Sequence, residues 1–373
     1  MPTFAPAALA LDLVVAGPER LIFDQRTQAC DASDLPDAPA RAFRDAQGQM
    51  VLFAPNFRNR AFVGPDIDHL ARDCAVRFAA KGKANPQLLD DRTWLHAFHT
   101  RDGVNVFALA SASFIPYRHG TVCAAGPART DCWRNGLVAL VSHDGGRSFT
   151  NSAPPPKHAL MPPPEAYSAQ VKNPAGFISA TNIVPFKGDL YSIVWRRDAN
   201  ARQSRNCLVR ARGGNTDHWE VLTNGGFAAL ADRMADGWHV RTTDCDRIGP
   251  RGLPAIRGLV LHPATGTFVA VFQHRRRGPD GTAEAGFFTV QSQDLISWSQ
   301  PRLLLPVALR GDREAEGARA GYPSLIDDTS ADRDFGTVGE TADLLFVRFL
   351  TQTNGGRVRT LRALVAVPLK LVP

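Results

Sequence analysis

A repeated unit of short strands extends over the whole chain of 373 residues. Apolar runs with the period of two that is typical of strands, such as residues 104–109 and 267–272, each follow a turn signal, and another apolar segment precedes each turn. Five hairpins of this kind follow one another along the chain. After three of them a polar turn carries an aspartate and then an aromatic residue: Asp144 with Phe149, Asp217 with Trp219, and Asp294 with Trp298. The three aspartates are 73 and 77 residues apart.

Units of this length, built from antiparallel strands and ended by a polar turn with an aromatic, are typical of β-propeller blades. We therefore predict an all-β fold, a five-bladed β-propeller formed by residues 1–373 as a single domain. The blades are expected near residues 30–80, 88–150, 176–222, 255–300 and 320–370. A two-domain sandwich is the alternative, although no linker-like change of composition separates two halves. The best helical candidate, residues 226–234, is short.

The composition excludes several classes of protein. Hydrophobic residues make up 44% of the chain and charged residues 21%, with Gly and Pro spread throughout, so the chain is neither disordered nor fibrous. No apolar run reaches the length of a membrane span, and the start of the chain lacks the basic region of an export signal. The net charge of +7 includes one basic cluster, Arg275 to Arg277, without the interleaved aromatics of RNA-binding proteins. No nucleic-acid partner is expected, while an anionic substrate stays open.

Six cysteines lack the spacing of a zinc site, so we expect disulfides and no metal. Cys123 and Cys132 flank a loop rich in Gly, Pro and Ala that is easily closed. By elimination we pair Cys30 with Cys74 and Cys207 with Cys245, although six cysteines allow 15 connectivities. Disulfides would place the protein in the periplasm or outside the cell, as a mature form. Six buried free thiols in a cytosolic protein are the alternative.

The candidate catalytic residues follow from the propeller prediction, because the innermost strands of all blades begin at one axial pocket. Two neighbouring blades present carboxylates at similar positions, Asp37 and Asp91. Cleavage of a glycosidic bond requires one protonated and one ionised carboxyl group, which such a funnel could hold. A turn-capping role is the alternative for each aspartate. The same segments contribute further polar side chains: Arg41, Asn182, Arg257, Glu316 and Tyr322.

Other chemistries find no matching pattern. The sequence has no G-x-S-x-G elbow, no Walker A motif and no G-x-G-x-x-G after a strand, so no cofactor is expected. His96 and His99 lie three apart in a strand and point to opposite faces, so they cannot hold one metal ion. His119 precedes Cys123 in a loop that could reach a sugar, or it is an ordinary loop histidine.

The segment Ser142 to Phe149, the segment Ser292 to Trp298 and the inner-strand aspartates resemble the Asp-boxes and inner strands of five-bladed propeller glycoside hydrolases and their sialidase relatives. The order of Arg72-Asp73-Cys74, Cys132-Trp133 and Tyr322-Pro323-Ser324-Leu325 is similar to that of secreted bacterial propeller proteins. In those relatives the strand before the first loop cysteine carries a His-Asn-Glu-Tyr-like run. Here it reads Ser111-Ala112-Ser113-Phe114, so any carboxylate role at that place is absent in this chain.

The resemblance implies a secreted glycoside hydrolase that acts on a polysaccharide or oligosaccharide. Asp37 would be the general base or nucleophile, and Asp91 would tune the acid or orient the sugar. A Glu from a later blade, Glu165 or Glu316, would be the proton donor. Arg41 would keep Asp37 ionised, while Asn182 and Tyr322 would bind sugar hydroxyls.

Two alternatives stay open. A sialidase-like exo-glycosidase would use Arg41, Arg257 and Arg319 on a substrate carboxylate, with Tyr322 and Glu165 or Glu316 as the nucleophile pair. A propeller that only binds carbohydrate would use aromatic side chains such as Trp94, Trp133, Trp195 and Trp238 to stack on sugars. The sugar, the linkage and the oligomeric state are left open by the sequence.

Overall fold

The computed structural model describes residues 11–124, 126, 132–199, 204–234, 237–241, 244–278, 281–310, 318–354 and 357–372. The described chain is nearly all β, as predicted. Its one α-helix, α1 (Gln25–Gln28), has four residues, and short 3-10 turns lie at Ile67–His69, Pro116–His119 and Arg212–Gly214. In these ranges we find no helix with the length and apolar content needed to span a bilayer.

The strands form successive antiparallel groups along the chain. Two N-terminal strands, β1 (Asp12–Val15) and β2 (Arg20–Asp24), come first. The first group is β3 (Arg41–Arg44), β4 (Met50–Phe53), β5 (Phe62–Gly64) and β6 (Ala71–Arg72). The second is β7 (Arg92–Thr100), β8 (Val106–Phe114) and β9 (Arg134–Ser142), with the short β10 (Thr150–Asn151) and β11 (Ala159–Met161) beside β9.

The third group is β12 (Ala175–Ala180), β13 (Val184–Phe186), β14 (Asp189–Arg197), β15 (Arg205–Ala211), β16 (Glu220–Thr223) and β17 (Gly226–Ala229). A short parallel pairing of β12 with β9 joins the second and third groups into one sheet of eleven strands. A separate hairpin follows, β18 (Ala231–Met234) with β19 (Gly237–Val240). The helical expectation for residues 226–234 was therefore wrong, because that segment pairs as strands β17 and β18.

The fourth group is β20 (Gly258–His262), β21 (Thr267–Arg277), β22 (Ala283–Ser292) and β23 (Arg302–Pro306). The fifth is β24 (Arg319–Ile326), β25 (Thr341–Asn354) and β26 (Arg357–Val372). The N-terminal strands β1 and β2 both pair antiparallel with β26. Both ends of the described chain therefore meet in one sheet.

Apolar clusters lie between consecutive groups. Phe98 of the second group packs on Phe43 and Phe53 of the first, with ring centroids 5.2 and 4.9 Å apart. Equivalent contacts include Phe107 with Trp219, Phe186 with Phe268, Phe287 with Phe346, and Phe23 with Phe62. Burial of each such ring contributes roughly 2 to 3 kcal/mol, so the clusters hold neighbouring sheets face to face.

In the polar turns at Asp144 and Asp294, the aspartate side chain caps its own turn. Asp144 Oδ1 accepts the Ser148 N–H at 2.9 Å, and Asp294 Oδ1 accepts the Ile296 and Ser297 N–H groups at 2.8 and 2.7 Å. Phe149 and the partly buried Trp298 then pack into the clusters between sheets. Such side-chain to backbone hydrogen bonds fix the turn and aim the aromatic inward.

Three disulfides join Cys30 to Cys74, Cys123 to Cys132 and Cys207 to Cys245, with Cα–Cα distances of 5.6, 5.9 and 5.7 Å. This confirms the predicted pairing and leaves no free cysteine, so the alternative of six free thiols was wrong. Disulfides persist in oxidising compartments, so the three bridges fit a location in the periplasm or outside the cell.

Candidate active site

A cavity of about 230 Å³ lies where the first strands of the five groups meet. Each group contributes at least one lining residue: Asp37 just before β3, Trp94 and His96 from β7, Ser179 from β12, Arg257 just before β20, and Tyr322 from β24. The remaining walls come from Ala38, Pro39, Ser111, Ser113, Trp133, Asn135, Pro174, Ile178 and Arg197. Aromatic and hydrogen-bonding side chains in one concave site are the usual composition of a small-molecule or sugar pocket.

Asp37 is held at the cavity by two partners. The Tyr322 hydroxyl donates to Asp37 Oδ1 at 3.3 Å, and the Arg362 guanidinium forms an ion pair with the same oxygen. Arg362 also donates to the Pro36 carbonyl at 2.8 Å. The Asp37 side chain keeps 28% of its surface exposed, so the carboxylate is both oriented and open to a ligand.

Tyr322 has an unusual backbone for a strand residue. Its φ of 58° lies in the left-handed region, beside an irregularity in the β24–β25 pairing between Gly321 and Ser324. Its N–H donates to the Gln273 side chain at 3.0 Å. A non-glycine residue in this conformation costs of order 1 to 3 kcal/mol and is commonly found at functional sites. Here the bend turns the ring toward Asp37.

The Tyr322 hydroxyl is a hydrogen-bond donor at neutral pH. Burial raises its pKa above the usual 10, and the negative charge of Asp37 raises it further, against the opposing charges of Arg362, Arg310 and Arg257. A protonated phenol beside a carboxylate donates its proton into that hydrogen bond.

The floor of the cavity is cationic. Arg257 lines it and donates to Ser179 Oγ at 3.2 Å. Below it, Arg41 is only 2% exposed and donates to the carbonyls of Ala40 at 2.8 Å, Ala180 at 3.4 Å and Arg257. Burial lowers the Arg41 pKa to about 9, and the charge of Arg257 adds to this effect. Arg41 therefore ties three strand groups together.

His96 lies beside these arginines and is neutral at physiological pH. Burial lowers its pKa to about 3, and the charges of Arg41 and Arg257 lower it in the same direction. A histidine in this setting can bind a ligand as an uncharged donor or acceptor, but it does not exchange protons near neutral pH.

Asp91 does not line this cavity. It is 1% exposed and accepts the Ile115 N–H at 2.9 Å and the Arg118 Nε at 3.2 Å. His119 Nε2 lies 3.2 Å from the same carboxylate, and its ring stacks on Phe114 at 5.4 Å. These contacts hold the 3-10 turn that follows β8. His119 is therefore placed with Asp91, outside the lining of the cavity.

The other predicted residues are dispersed. Asn182 is 4% exposed, donates to the Phe335 carbonyl at 3.4 Å and accepts the Leu259 N–H at 3.3 Å. Glu165, at 39% exposure, accepts from Arg196 at 2.8 Å and lines a small adjoining cavity that shares Trp133. Glu316 lies outside the described residues. The structure thus brings together Asp37, Arg257 and Tyr322 of the predicted set.

The three arginines of the sialidase-like alternative do not line one cavity, although Arg41 contacts the Arg257 backbone. Arg257 lines the central cavity, Arg41 is buried against backbone carbonyls, and Arg319 lines a different cavity. Tyr322 contacts Asp37 and not Glu165.

Sequence reasoning missed Arg362 and Gln273, which orient Asp37 and Tyr322. Neither residue lies on the first strand of a group, and Arg362 is 325 residues from Asp37 in the sequence. Among the lining residues that the structure describes, Asp37 is the only carboxylate. In the same ranges no group of three or more His, Cys, Asp or Glu side chains is placed to hold a metal ion.

No protein-family model matches the sequence, and no curated protein matches it either. Solved structures similar to the chain include an endo-arabinase from Bacteroides thetaiotaomicron, with 12% identity over 92% of this chain and 97% of that one, and a TM-score of 0.46. An α-L-arabinofuranosidase catalytic domain from Coprinopsis cinerea has 9% identity over 95% and 96%, with a TM-score of 0.47. An endo-1,5-α-L-arabinanase from Thermotoga petrophila has 12% identity over 89% and 74%, with a TM-score of 0.49.

Proposed function

We propose that the chain is a secreted glycoside hydrolase whose active site is the cavity around Asp37. The observation that carries the proposal is the Asp37 carboxylate, which Tyr322 and Arg362 orient while part of its surface stays open. Trp94 and Trp133 line the same cavity and offer ring faces on which a sugar can stack.

We also propose that the five strand groups are the blades of a closed five-bladed propeller formed by a single domain. Contacts between consecutive groups support this closure: β3 contacts β7 and β24, β9 pairs with β12, β13 contacts β20, and β20 contacts β24. Each group therefore contacts the next, and the fifth contacts the first. A shared cavity lined by all five groups is what such a ring would produce at its axis.

In the proposed chemistry, Asp37 is the general base or the nucleophile. Tyr322 and Arg362 fix its orientation, and Arg257 and the lining Ser and Asn side chains bind hydroxyl groups of the sugar. Hydrolysis requires a second carboxyl group as proton donor. Glu316 is our first candidate, because it lies three residues before Arg319 in the sequence. Arg319 lines a cavity together with Arg362, and Arg362 forms the ion pair with Asp37. Glu165, beside the shared Trp133, is the second.

For Asp91 and Asn182 we propose structural roles in place of the catalytic and sugar-binding roles that the sequence suggested. Both are buried and their hydrogen-bonding groups have partners within the protein. Arg41 has a structural role as well, since it binds carbonyl oxygens below the cavity.

The test compares the wild type with Asp37→Asn on a panel of plant, algal and mycobacterial polysaccharides, with released reducing ends as the readout. Loss of a base or nucleophile of this kind costs on the order of 10² to 10⁴ in rate. Asp68→Asn, at an aspartate that is 55% exposed and paired with Arg20, is the matched control and should keep full activity. An active Asp37→Asn enzyme would refute the assignment.

A propeller that only binds glycans is the second candidate, favoured by the single carboxylate among the described lining residues. Such a protein would release no reducing ends at any concentration. Since an inactive hydrolase variant such as Asp37→Asn can also keep its affinity for an oligosaccharide, the release of reducing ends by the wild type is the measurement that separates the candidates.

A further inference from the structure

A second cavity, of about 210 Å³, adjoins Asp37 and Tyr322 on the fifth strand group. Three of its six lining residues are arginines, Arg310, Arg319 and Arg362, and the others are Phe349, Thr351 and Thr360. Three cations in one small cavity repel one another, and an anion that enters relieves this repulsion.

Five of the six lining residues lie on paired strands, while Arg310 follows β23 and is exposed, as are Thr351 and Thr360. Arg319, Phe349 and Thr351 lie on β24 and β25, and Thr360 and Arg362 lie on β26. Thr351 and Thr360 are direct partners in the β25–β26 pairing, so their hydroxyls lie side by side. Groups fixed on paired strands are preorganised for a ligand.

An aromatic ring positions two of the guanidinium groups. The guanidinium carbons of Arg310 and Arg362 each lie 5.2 Å from the centre of the Phe349 ring. Stacking on the ring face leaves the N–H edge of each guanidinium free to point away from the ring.

The hydrogen-bonding capacity of the arginines is only partly used. Arg362 pairs with Asp37, and Arg310 donates to the Tyr322 hydroxyl at 3.4 Å. Within the described residues neither Arg310 nor Arg319 forms an ion pair, and the buried Arg319 Nε has no hydrogen-bond partner. A buried unpaired N–H is costly unless a ligand or water satisfies it.

We propose that this arginine cavity binds an oxyanion of the substrate, so that the glycan is an acidic polysaccharide with carboxylate or sulfate groups. The inference rests on the proposed hydrolase and specifies its substrate class. Arg362 belongs to both sites, since it pairs with Asp37 and lines the arginine cavity. The charged group therefore sits on the sugar next to the cleaved bond. Arginine suits this role because its planar fork matches the two oxygens of a carboxylate or sulfate.

The experiment measures the affinity of the purified protein for trigalacturonate and for its carboxyl-reduced form by calorimetry. A sulfated galactan oligosaccharide and its desulfated form make the second pair. Each is titrated into the wild type, Arg319→Gln and Arg310→Gln, with Arg359→Gln as the control. Arg359 is an exposed arginine of β26 that does not line the cavity, so its loss removes the same charge from the same strand.

We expect the wild type to prefer one charged ligand over its neutral form, and the pair that shows this identifies the oxyanion. Arg319→Gln and Arg310→Gln should each weaken that binding about tenfold or more, as for loss of a charged hydrogen bond. Arg359→Gln should change it less than about twofold, and thermal melts confirm that the variants fold.

Equal affinity of the wild type for the charged and neutral forms, or equal loss in Arg359→Gln and Arg319→Gln, would overturn the inference. Hydrolysis tells the two proposals apart. Charge-dependent binding without released reducing ends would overturn the hydrolase and keep the oxyanion site. Hydrolysis of neutral polymers alone, with no charge-dependent binding, would overturn the oxyanion site and keep the hydrolase.

Discussion

Replacing Asp91 by Asn tests whether this aspartate belongs to the chemistry or to the scaffold. The change keeps the size of the side chain and removes its charge. In the structure Asp91 receives the Ile115 N–H at 2.9 Å and the Arg118 Nε at 3.2 Å, and it is 1% exposed. An asparagine has one acceptor oxygen for these two donors, so one of them loses its partner.

The expected cost follows from those contacts. A hydrogen bond to a charged group contributes about 1.5 to 3 kcal/mol, and the partial exposure of Arg118, 31%, lets water replace part of the loss. We expect Asp91→Asn to lower the free energy of unfolding by about 2 kcal/mol. Because Asp91 does not line the cavity, activity per folded molecule should stay within about twofold of the wild type.

The assay combines urea unfolding followed by circular dichroism with rates measured well below the unfolding transition. Asp37→Asn is the matched variant and should show the opposite pattern, with near-normal stability and little activity. An Asp91→Asn protein of unchanged stability whose rate falls a hundredfold would refute the structural role and restore the catalytic role that the sequence suggested.

Three further predictions concern the cavity, the disulfides and the pH dependence of stability. Tyr322→Phe removes the hydroxyl that orients Asp37, so kcat should fall about tenfold or more while KM changes little; an unchanged kcat would contradict that role. Replacing Cys207 and Cys245 by Ala removes a disulfide that spans 38 residues, and on the chain-entropy model this should lower the free energy of unfolding by about 4 kcal/mol. Removing the Cys123–Cys132 disulfide, which spans 9 residues, should lower it by less. Calorimetric melts that show the reverse order would contradict this prediction. Burial lowers the pKa of His96 to about 3 in the folded protein, whereas the unfolded chain takes up this proton near pH 6.5. The free energy of unfolding should therefore fall as the pH drops below about 6.5, by up to about 1.4 kcal/mol per pH unit. His96→Gln should flatten this pH dependence between pH 6.5 and 4 relative to the exposed control His218→Gln, and parallel curves for the two variants would contradict the assignment.

Local patterns explain what the sequence could predict of the fold. The apolar runs of strands such as β8 and β21 consist of consecutive residues, and so do the polar turns at Asp144 and Asp294. The disulfide pairing followed from the short loop between Cys123 and Cys132, and the other two pairs were then assigned by elimination. The pairing of β1 and β2 with β26 brings together opposite ends of the chain and leaves no local signal.

The candidate site likewise contains residues that the sequence could predict and residues that it could not. Asp37, Arg257 and Tyr322 were predicted because they lie at the starts of first strands, which do converge on one cavity. Asp91 did not join them: it lies just before β7, and its carboxylate accepts the Ile115 N–H and the Arg118 Nε of the turn that follows β8. Arg362 lies 325 residues from Asp37 and could be found only in three dimensions.

We propose that a sugar is cleaved at Asp37 in the cavity shared by the five strand groups. A crystal structure of the Asp37→Asn variant with an oligosaccharide from its best substrate tests this most directly. We expect a sugar ring against Trp94 and Trp133, with its anomeric carbon, or the water that attacks it, about 3.5 Å from the side chain of residue 37. An oligosaccharide bound elsewhere, with this cavity filled only by solvent, would contradict it.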